Sequence, residues 1–301
     1  MKILVAGGGG FIGSHIIDRL IDRGYDVHVY DLQRPHKETK KGYKWVDIDI
    51  TDFTRLEFNM SVEEFDVVYN LASVSNTMEC VNDPVKATKV NCLGTINLLE
   101  ASNLNGVKRF IMASSSLISG LQLLDLDKSI NVERSNHIYV TTKLFQEMAV
   151  RDFYEMYKLP ATILRYGICY GPRMTEGVVV DIFIKQALQG KPITIHGDGS
   201  QWRQYVYVED LADANVSILD NCLSMNQTYN LVGEKVSILD IAHAIQRALP
   251  ETQIMFMGKR SHDLDVKIMS NKEMTLDFGW TPRTSLEKGI RKTVEYYKER
   301  M

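Results

Sequence analysis

Only four cysteines occur in 301 residues, Cys80, Cys92, Cys169 and Cys222, and none stands in a C-x-x-C pair or other metal-ligand spacing. That scarcity excludes a disulfide framework and a thiolate metal centre, so no metal is expected and the thiols read as buried groups in a reducing compartment. No apolar stretch approaches the roughly 20 residues of a membrane span. The net charge of −3 leaves no basic excess for nucleic acid or a membrane surface. Repeats, low-complexity tracts and blocks of like charge are also missing. The chain enters an apolar run at Ile3, which leaves no room for a signal peptide, and a cytoplasmic protein is expected.

What the chain does have is ordinary globular composition, 45% hydrophobic and 24% charged, over a length that allows two domains or one large domain with a lobe. Its first residues are the most informative. Ile3-Leu4-Val5-Ala6 suits a strand buried on both faces, Gly7, Gly10 and Gly13 follow at a spacing of three, and a helical pattern starts at Phe11 and Ile12. Strand, glycine turn and helix let a pyrophosphate approach backbone N–H groups at a helix N-terminus. A second strand, Val27–Tyr30, ends at Asp31, where a carboxylate suits the hydroxyls of an adenosine ribose.

Strand-like runs at 67–71, 109–113 and 161–165 alternate with helical patterns at 85–103 and 141–157. This rhythm predicts a Rossmann-type α/β fold, a doubly wound parallel sheet. After Gly171-Pro172 the rhythm breaks into helix 178–190, strand 193–196, strand 205–208, a helix from Asp210, helix 237–249 and helix 285–300. We therefore expect a nucleotide-binding domain over 1–165, with a return near 204–228, and a smaller α/β C-terminal substrate lobe over 166–301.

Tyr139 and Lys143 lie one turn apart if their segment is helical. An unperturbed tyrosine, with a pKa of ~10, is a poor base at neutral pH. A neighbouring ammonium, with the positive nicotinamide of an oxidised cofactor, would favour its phenolate, which could then exchange a proton with a hydroxyl or ketone. Ser114-Ser115-Ser116 follows the strand at 109–113, where open α/β sheets bind ligands. Taken alone, the Tyr–Lys pair also fits a solvated helix face, and the serines fit a turn or a cap.

These segments, with Asn91-Cys-Leu-Gly94-Thr95-Ile-Asn97, Tyr170-Gly-Pro-Arg173, Gly197-Asp-Gly-Ser-Gln-Trp-Arg203, Tyr229-Asn-Leu231 and Phe278-Gly-Trp-Thr-Pro282, cover almost the whole chain. In them the chain resembles the extended short-chain dehydrogenase/reductases, in particular the sugar-nucleotide epimerase/dehydratase group typified by UDP-galactose 4-epimerase. The resemblance implies NAD as cofactor, held by Gly7, Gly10, Phe11, Ile12 and Gly13. Asp31 would anchor the ribose and Asp49 and Ile50 the adenine edge. Leu71, Ala72, Ser73, Asn91, Ser114 and Tyr166 would line the rest. It also implies Ser115, Tyr139 and Lys143 as the catalytic set, with Lys143 holding the nicotinamide ribose. Thr77, Ser115, Thr194, His196, Arg203, Arg260 and Asp263 would meet a nucleotide sugar, the two arginines gripping its diphosphate.

The chain departs from the family pattern at several positions. Ile168 replaces a diphosphate-contacting Asn, and Ile118-Ser119-Gly120 replaces Val-Tyr-Gly. Ser116-Leu117 replaces the Asp-Glu of 4,6-dehydratases, and Lys267 takes a position that gates the sugar pocket. The expected activity is an NAD-dependent 4-epimerase acting on a UDP-hexose through a 4-keto sugar. A 4-keto-sugar reductase is the alternative, and a dehydratase or a non-catalytic NAD(P) sensor is less favoured. Asp31 should repel the 2′-phosphate of NADP, although Arg34 could attract it. The resemblance further implies a homodimer formed through helices 85–103 and 141–157, with Leu144, Phe145, Met148 and Phe153 as candidate contacts.

Overall fold

Side chains along the first strand alternate between two cores: Ile3 and Val5 pack into one, Leu4 and Ala6 into the other. This is why the run is apolar throughout rather than at every second residue. The computed structural model describes residues 1–120, 122–127, 130–134, 137–258 and 266–300. Its strands are β1 (Lys2–Ala6), β2 (Asp26–Tyr30), β3 (Tyr43–Val46), β4 (Val67–Asn70), β5 (Arg109–Ser115), β6 (Gln122–Asp127) and β7 (Ile130–Arg134). These are followed by β8 (Ala161–Tyr166), β9 (Ile168–Tyr170), β10 (Ile193–His196), β11 (Trp202–Tyr207), β12 (Gln227–Leu231), β13 (Glu234–Ser237) and β14 (Ile254–Met257). The helices are α1 (Phe11–Asp22), α2 (Phe53–Glu63), α3 (Thr77–Asn82), α4 (Pro84–Thr88), α5 (Gly94–Leu104) and α6 (Ile138–Tyr157). Beyond them come α7 (Val179–Leu188), α8 (Val208–Ser217), α9 (Ile238–Ala248), α10 (Lys272–Phe278) and α11 (Leu286–Lys298).

Seven parallel strands form the central sheet in the order β12-β8-β5-β4-β1-β2-β3. Helices α1 and α8 cover one face, and α2, α5 and α6 the other. The architecture is the doubly wound one expected. The chain returns to it through α8, which packs on α1, and through β12, which adds to β8; β11 instead joins β9 and β13 in a three-stranded sheet. That small sheet, the β10–β14 pair and α7, α9 and α11 enclose a third core around Phe183, Ile195, Tyr207, Ile245 and Ile290.

The helix expected over 85–103 is three pieces, with a π-helical turn at Lys89–Leu93 between α4 and α5. Asn91 sits in that turn, fully buried, and its amide bonds to Val74 on the neighbouring loop. A π-turn of this kind re-aims a side chain that regular helix geometry would direct elsewhere. Between β5 and α6, β6 and β7 pair antiparallel, an element that no pattern in the sequence signals.

A buried clamp joins the two halves. Arg173, in the left-handed region at φ 64°, donates to Asp18 on α1 at 2.6 Å and contacts His15 Nδ1 at 2.9 Å. His15 Nε2 lies 2.9 Å from the Pro172 carbonyl oxygen. A guanidinium only donates and a carbonyl only accepts, so the ring is the neutral Nε2–H tautomer. Burial, with Arg173 beside it, pushes the His15 pKa down to about 3.

Candidate active site

The glycine turn is shaped by close approach. Gly7 has φ +84°, donates to the Tyr30 carbonyl at 2.9 Å, and leaves no space for a Cβ, which would stand 2.4 Å from Ala72 N. A Cβ at Gly13 would meet Gly7 O at 2.6 Å, so this glycine seats α1 on the turn. Gly10, the α1 N-cap, differs: a Cβ there would meet only Gly7 O at 3.4 Å. No side chain caps α1 and no acid occupies its first turn, so its N–H groups remain suited to an anion. Phe11 turns its ring against His15, and Ile12 packs on the core beneath the helix.

Asp31 stands at the end of β2. Its carboxylate accepts from Gly9 N at 2.8 Å and Gln33 N at 2.9 Å, while burial raises its pKa against these bonds. Arg34 stacks on Trp45 at 4.6 Å. Trp45 in turn bonds the Asp31 and Gln33 carbonyls. Asp49 caps a turn at Thr51, and the Ile50 carbonyl accepts from Asn97 at 2.9 Å. Leu71, Ala72 and Ser73 follow β4, half-buried; Ser73 bonds Asn91, which also bonds Thr142 on α6 at 3.0 Å. Asn91 is thus a strut between the β4 loop and α6.

Ser115 ends β5, and Tyr139 and Lys143 lie in the first turns of α6, all three less than 8% exposed. The structure brings the three together. Ser115 Oγ accepts from Leu117 N at 3.2 Å, and the Ser115 hydroxyl favours the Tyr139 phenolate. Lys143 Nζ lies 5.9 Å from the Tyr139 ring centroid and donates to the Ala113 carbonyl at 2.8 Å. Lys143 alone does not bring the phenol into the neutral range; the expectation paired its ammonium with the positive nicotinamide of an oxidised cofactor. Burial pushes the phenol up to about 12, because the ammonium is turned to a backbone carbonyl rather than to the phenol oxygen. The phenolate therefore calls for a further positive charge close to the phenol oxygen.

Tyr166 shares the β8–β5 register with Ser115, but its hydroxyl bonds Asn215 on α8, and burial raises its pKa. Ser114 turns to Glu147 on α6 at 2.6 Å. Glu147 and its partner Arg165 were not singled out from the sequence. An acid four residues after Lys143 and an arginine near the end of an otherwise uncharged strand were the available signals.

In the C-terminal lobe, Thr194 on β10 pairs with the Gln186 amide and His196 Nδ1 lies 3.1 Å from the Gly258 carbonyl. Arg203 on β11 donates to the Trp202 carbonyl at 2.6 Å. Ile168 on β9 packs on the apolar cluster that includes Leu117, Ile118 and Tyr139, as does Val266. Exposed Lys267 exchanges backbone hydrogen bonds with the Ser119 hydroxyl. Thr77 opens α3, capped by Asn76. Arg260 and Asp263 lie outside the described residues.

A sequence model of the NAD-dependent epimerase/dehydratase family matches residues 3–232. A trifunctional Arabidopsis thaliana protein, UDP-glucose 4,6-dehydratase/UDP-4-keto-6-deoxy-D-glucose 3,5-epimerase/UDP-4-keto-L-rhamnose-reductase, is 30% identical over 99% of this chain. The chain spans 47% of that relative's length. A UDP-glucose 4-epimerase from Thermotoga maritima, solved with UDP-glucose, has TM-score 0.89 and 30% identity, covering 100% of this chain and 99% of that one. A UDP-glucuronic acid 4-epimerase from Bacillus cereus, solved with UDP-glucuronic acid and NAD, has TM-score 0.87 and 27% identity, each chain covered in full. The residues present fit the dinucleotide: the α1 N-terminus carries no side-chain cap and no acid, which suits a pyrophosphate, and the Asp31 carboxylate at the end of β2 suits ribose hydroxyls. Among the described residues no helix is long and apolar enough to cross a membrane. The chain belongs to the NAD-dependent epimerase/dehydratase family, with NAD as its cofactor.

Proposed function

We propose that the protein is a nucleotide-sugar 4-epimerase acting on a UDP-hexose through a transient 4-keto sugar, with 1–165 holding NAD and 166–301 holding the nucleotide sugar. The observation that carries this reading is the buried hydroxyl pair of Tyr139 and Ser115 followed by Ser116 and Leu117. Bound NAD supplies reversible hydride acceptance. Ser115 hydrogen-bonds the sugar O4, and Tyr139 takes its proton as C4 is oxidised, then returns it once the ketone has presented its other face. The Lys143 ammonium and an oxidised nicotinamide together favour the phenolate that burial opposes. Neither Ser116 nor Leu117 supplies the carboxylates for eliminating water across C5–C6, which separates this reading from a dehydratase. Arg203, with Arg260, suits the diphosphate through charge-assisted hydrogen bonds.

A second copy of this chain is the partner this reading assigns. On α6, Phe145 is 41% and Met148 56% exposed, with exposed Val85 and Leu93 nearby on α4 and the π-turn. Leu144 is half-buried, and Phe153 packs on the protein's own core, so Phe145 and Met148 replace them as principal contacts. Sedimentation of Met148→Lys against the native chain tests this: dimer for the native protein and monomer for the variant are expected, and a native monomer contradicts it.

Incubation with UDP-glucose, UDP-N-acetylglucosamine and UDP-glucuronate in turn, without added reductant, tests the activity. NMR should reveal a C4-inverted product from at least one. Stoichiometric NADH consumption on a 4-keto sugar, with no inversion of any parent, would make the protein a reductase.

A further inference from the structure

Beneath Lys143 lies a buried ionic cluster that the reaction as described does not use. Glu147 follows Lys143 by one turn of α6, so both issue from the same helix face. It is 2% exposed. Its Oε1 accepts from Ser114 Oγ at 2.6 Å and Arg165 Nε at 2.9 Å, and its Oε2 accepts from Arg165 Nη2 at 2.7 Å. Arg151 reaches Oε2 from the more exposed side at 3.5 Å. One carboxylate therefore ties α6 to β8 and to β5, one residue before Ser115. A buried ion pair is seldom kept for stability, since apolar residues of similar volume hold a core as well.

The environment of Lys143 supplies another reason. Its ammonium is enclosed, and its hydrogen-bond acceptor is the neutral Ala113 carbonyl. Burial draws its pKa down to about 8, and Glu147 opposes that fall. The other titratable groups acting on Lys143 are the thiols of Cys80 on α3 and Cys92 in the π-turn. Burial raises both thiols, which keeps them uncharged. The Tyr139 ring completes the surroundings, with its phenol also protonated. Of these groups, Glu147 alone carries a full negative charge.

We propose that Glu147, clamped by Arg165 and Ser114, is a positioning residue that keeps the Lys143 ammonium charged in its buried pocket and holds β5 in register with α6. Arg165 fixes the carboxylate's direction, and Ser114 passes that register to Ser115. The inference rests on the role proposed for Lys143 in holding the nicotinamide ribose, but not on which sugar is inverted.

The test is NADH affinity, followed by fluorescence across neutral and alkaline pH with no sugar present. The native protein should lose affinity as Lys143 deprotonates, through a limb near pH 8. Glu147→Gln should move that limb to lower pH by on the order of one unit, and Glu147→Asp should restore it. If Glu147→Gln does not fold, the pair Glu147→Gln with Arg165→Gln removes both charges and should show the same direction of shift. A limb that stays in place in the folded variant, or its absence from the native protein, overturns the proposal. A shifted limb in a protein that inverts no sugar sinks the epimerase reading and leaves this one standing.

Discussion

The proposed cofactor half and the proposed sugar half of this site are built differently. Gly7, Gly13 and Asp31 are fixed by backbone contacts: a carbonyl acceptor, a carbonyl a Cβ would strike, and two backbone N–H donors. Arg203 and His196 stand on short strands, and Lys267 exchanges two backbone hydrogen bonds with the Ser119 hydroxyl. Steric necessity governs the first half and side-chain chemistry the second. Small changes of shape should therefore injure NAD binding, while changes of charge should injure sugar binding.

The largest effect should come where the halves meet. Tyr139→Phe removes the proton-transfer hydroxyl and almost no volume, and kcat should fall about 10²–10⁴-fold with NAD affinity nearly unchanged. A variant retaining most of its kcat would take Tyr139 out of the chemistry. The clamp between the halves gives the next effect. The folded His15 pKa is about 3 and an unperturbed histidine's is 6.5, so between them the unfolded chain carries the extra proton. Stability should then fall as pH drops through that window, by at most about 1.4 kcal/mol per unit. His15→Gln should flatten the slope in urea titrations at successive pH values, and equal slopes would mean that His15 does not report on the clamp.

A crossed pair of variants sharpens the contrast further. Arg203→Ala should weaken UDP-sugar binding by about 1.5–3 kcal/mol and spare NAD. Gly10→Ala, which fits its backbone and adds a methyl at the α1 N-cap, should weaken NAD by about 1.4 kcal/mol or more, at least tenfold, and spare the UDP-sugar. Calorimetry in which both variants lose the same ligand would erase the distinction between the halves.

The same division explains what could be read from the sequence. The glycine spacing, Asp31 and the Tyr139–Lys143 turn are local patterns, and the structure reproduces the strand, turn and helix they imply. The three-piece helix around Asn91 was not legible, because its π-turn depends on bonds to Val74 and Thr142, 17 and 51 residues away. Arg173 reaches Asp18 across 155 residues, and Glu147 reaches Ser114 across 33. Such pairings leave no periodic trace in the chain. Spacing places Lys143 beside the Tyr139 ring but does not reveal that its ammonium turns to Ala113.

The central claim is that the Ser115–Tyr139 pair serves inversion at C4 with no net oxidation. It is tested most directly with a UDP-hexose deuterated at C4, taken from the parent that turns over. Mass spectrometry and NMR should find the C4-inverted hexose with deuterium still at C4 and the mass unchanged. A product lighter by one water, with the label moved to C6, would contradict the account and identify a dehydratase.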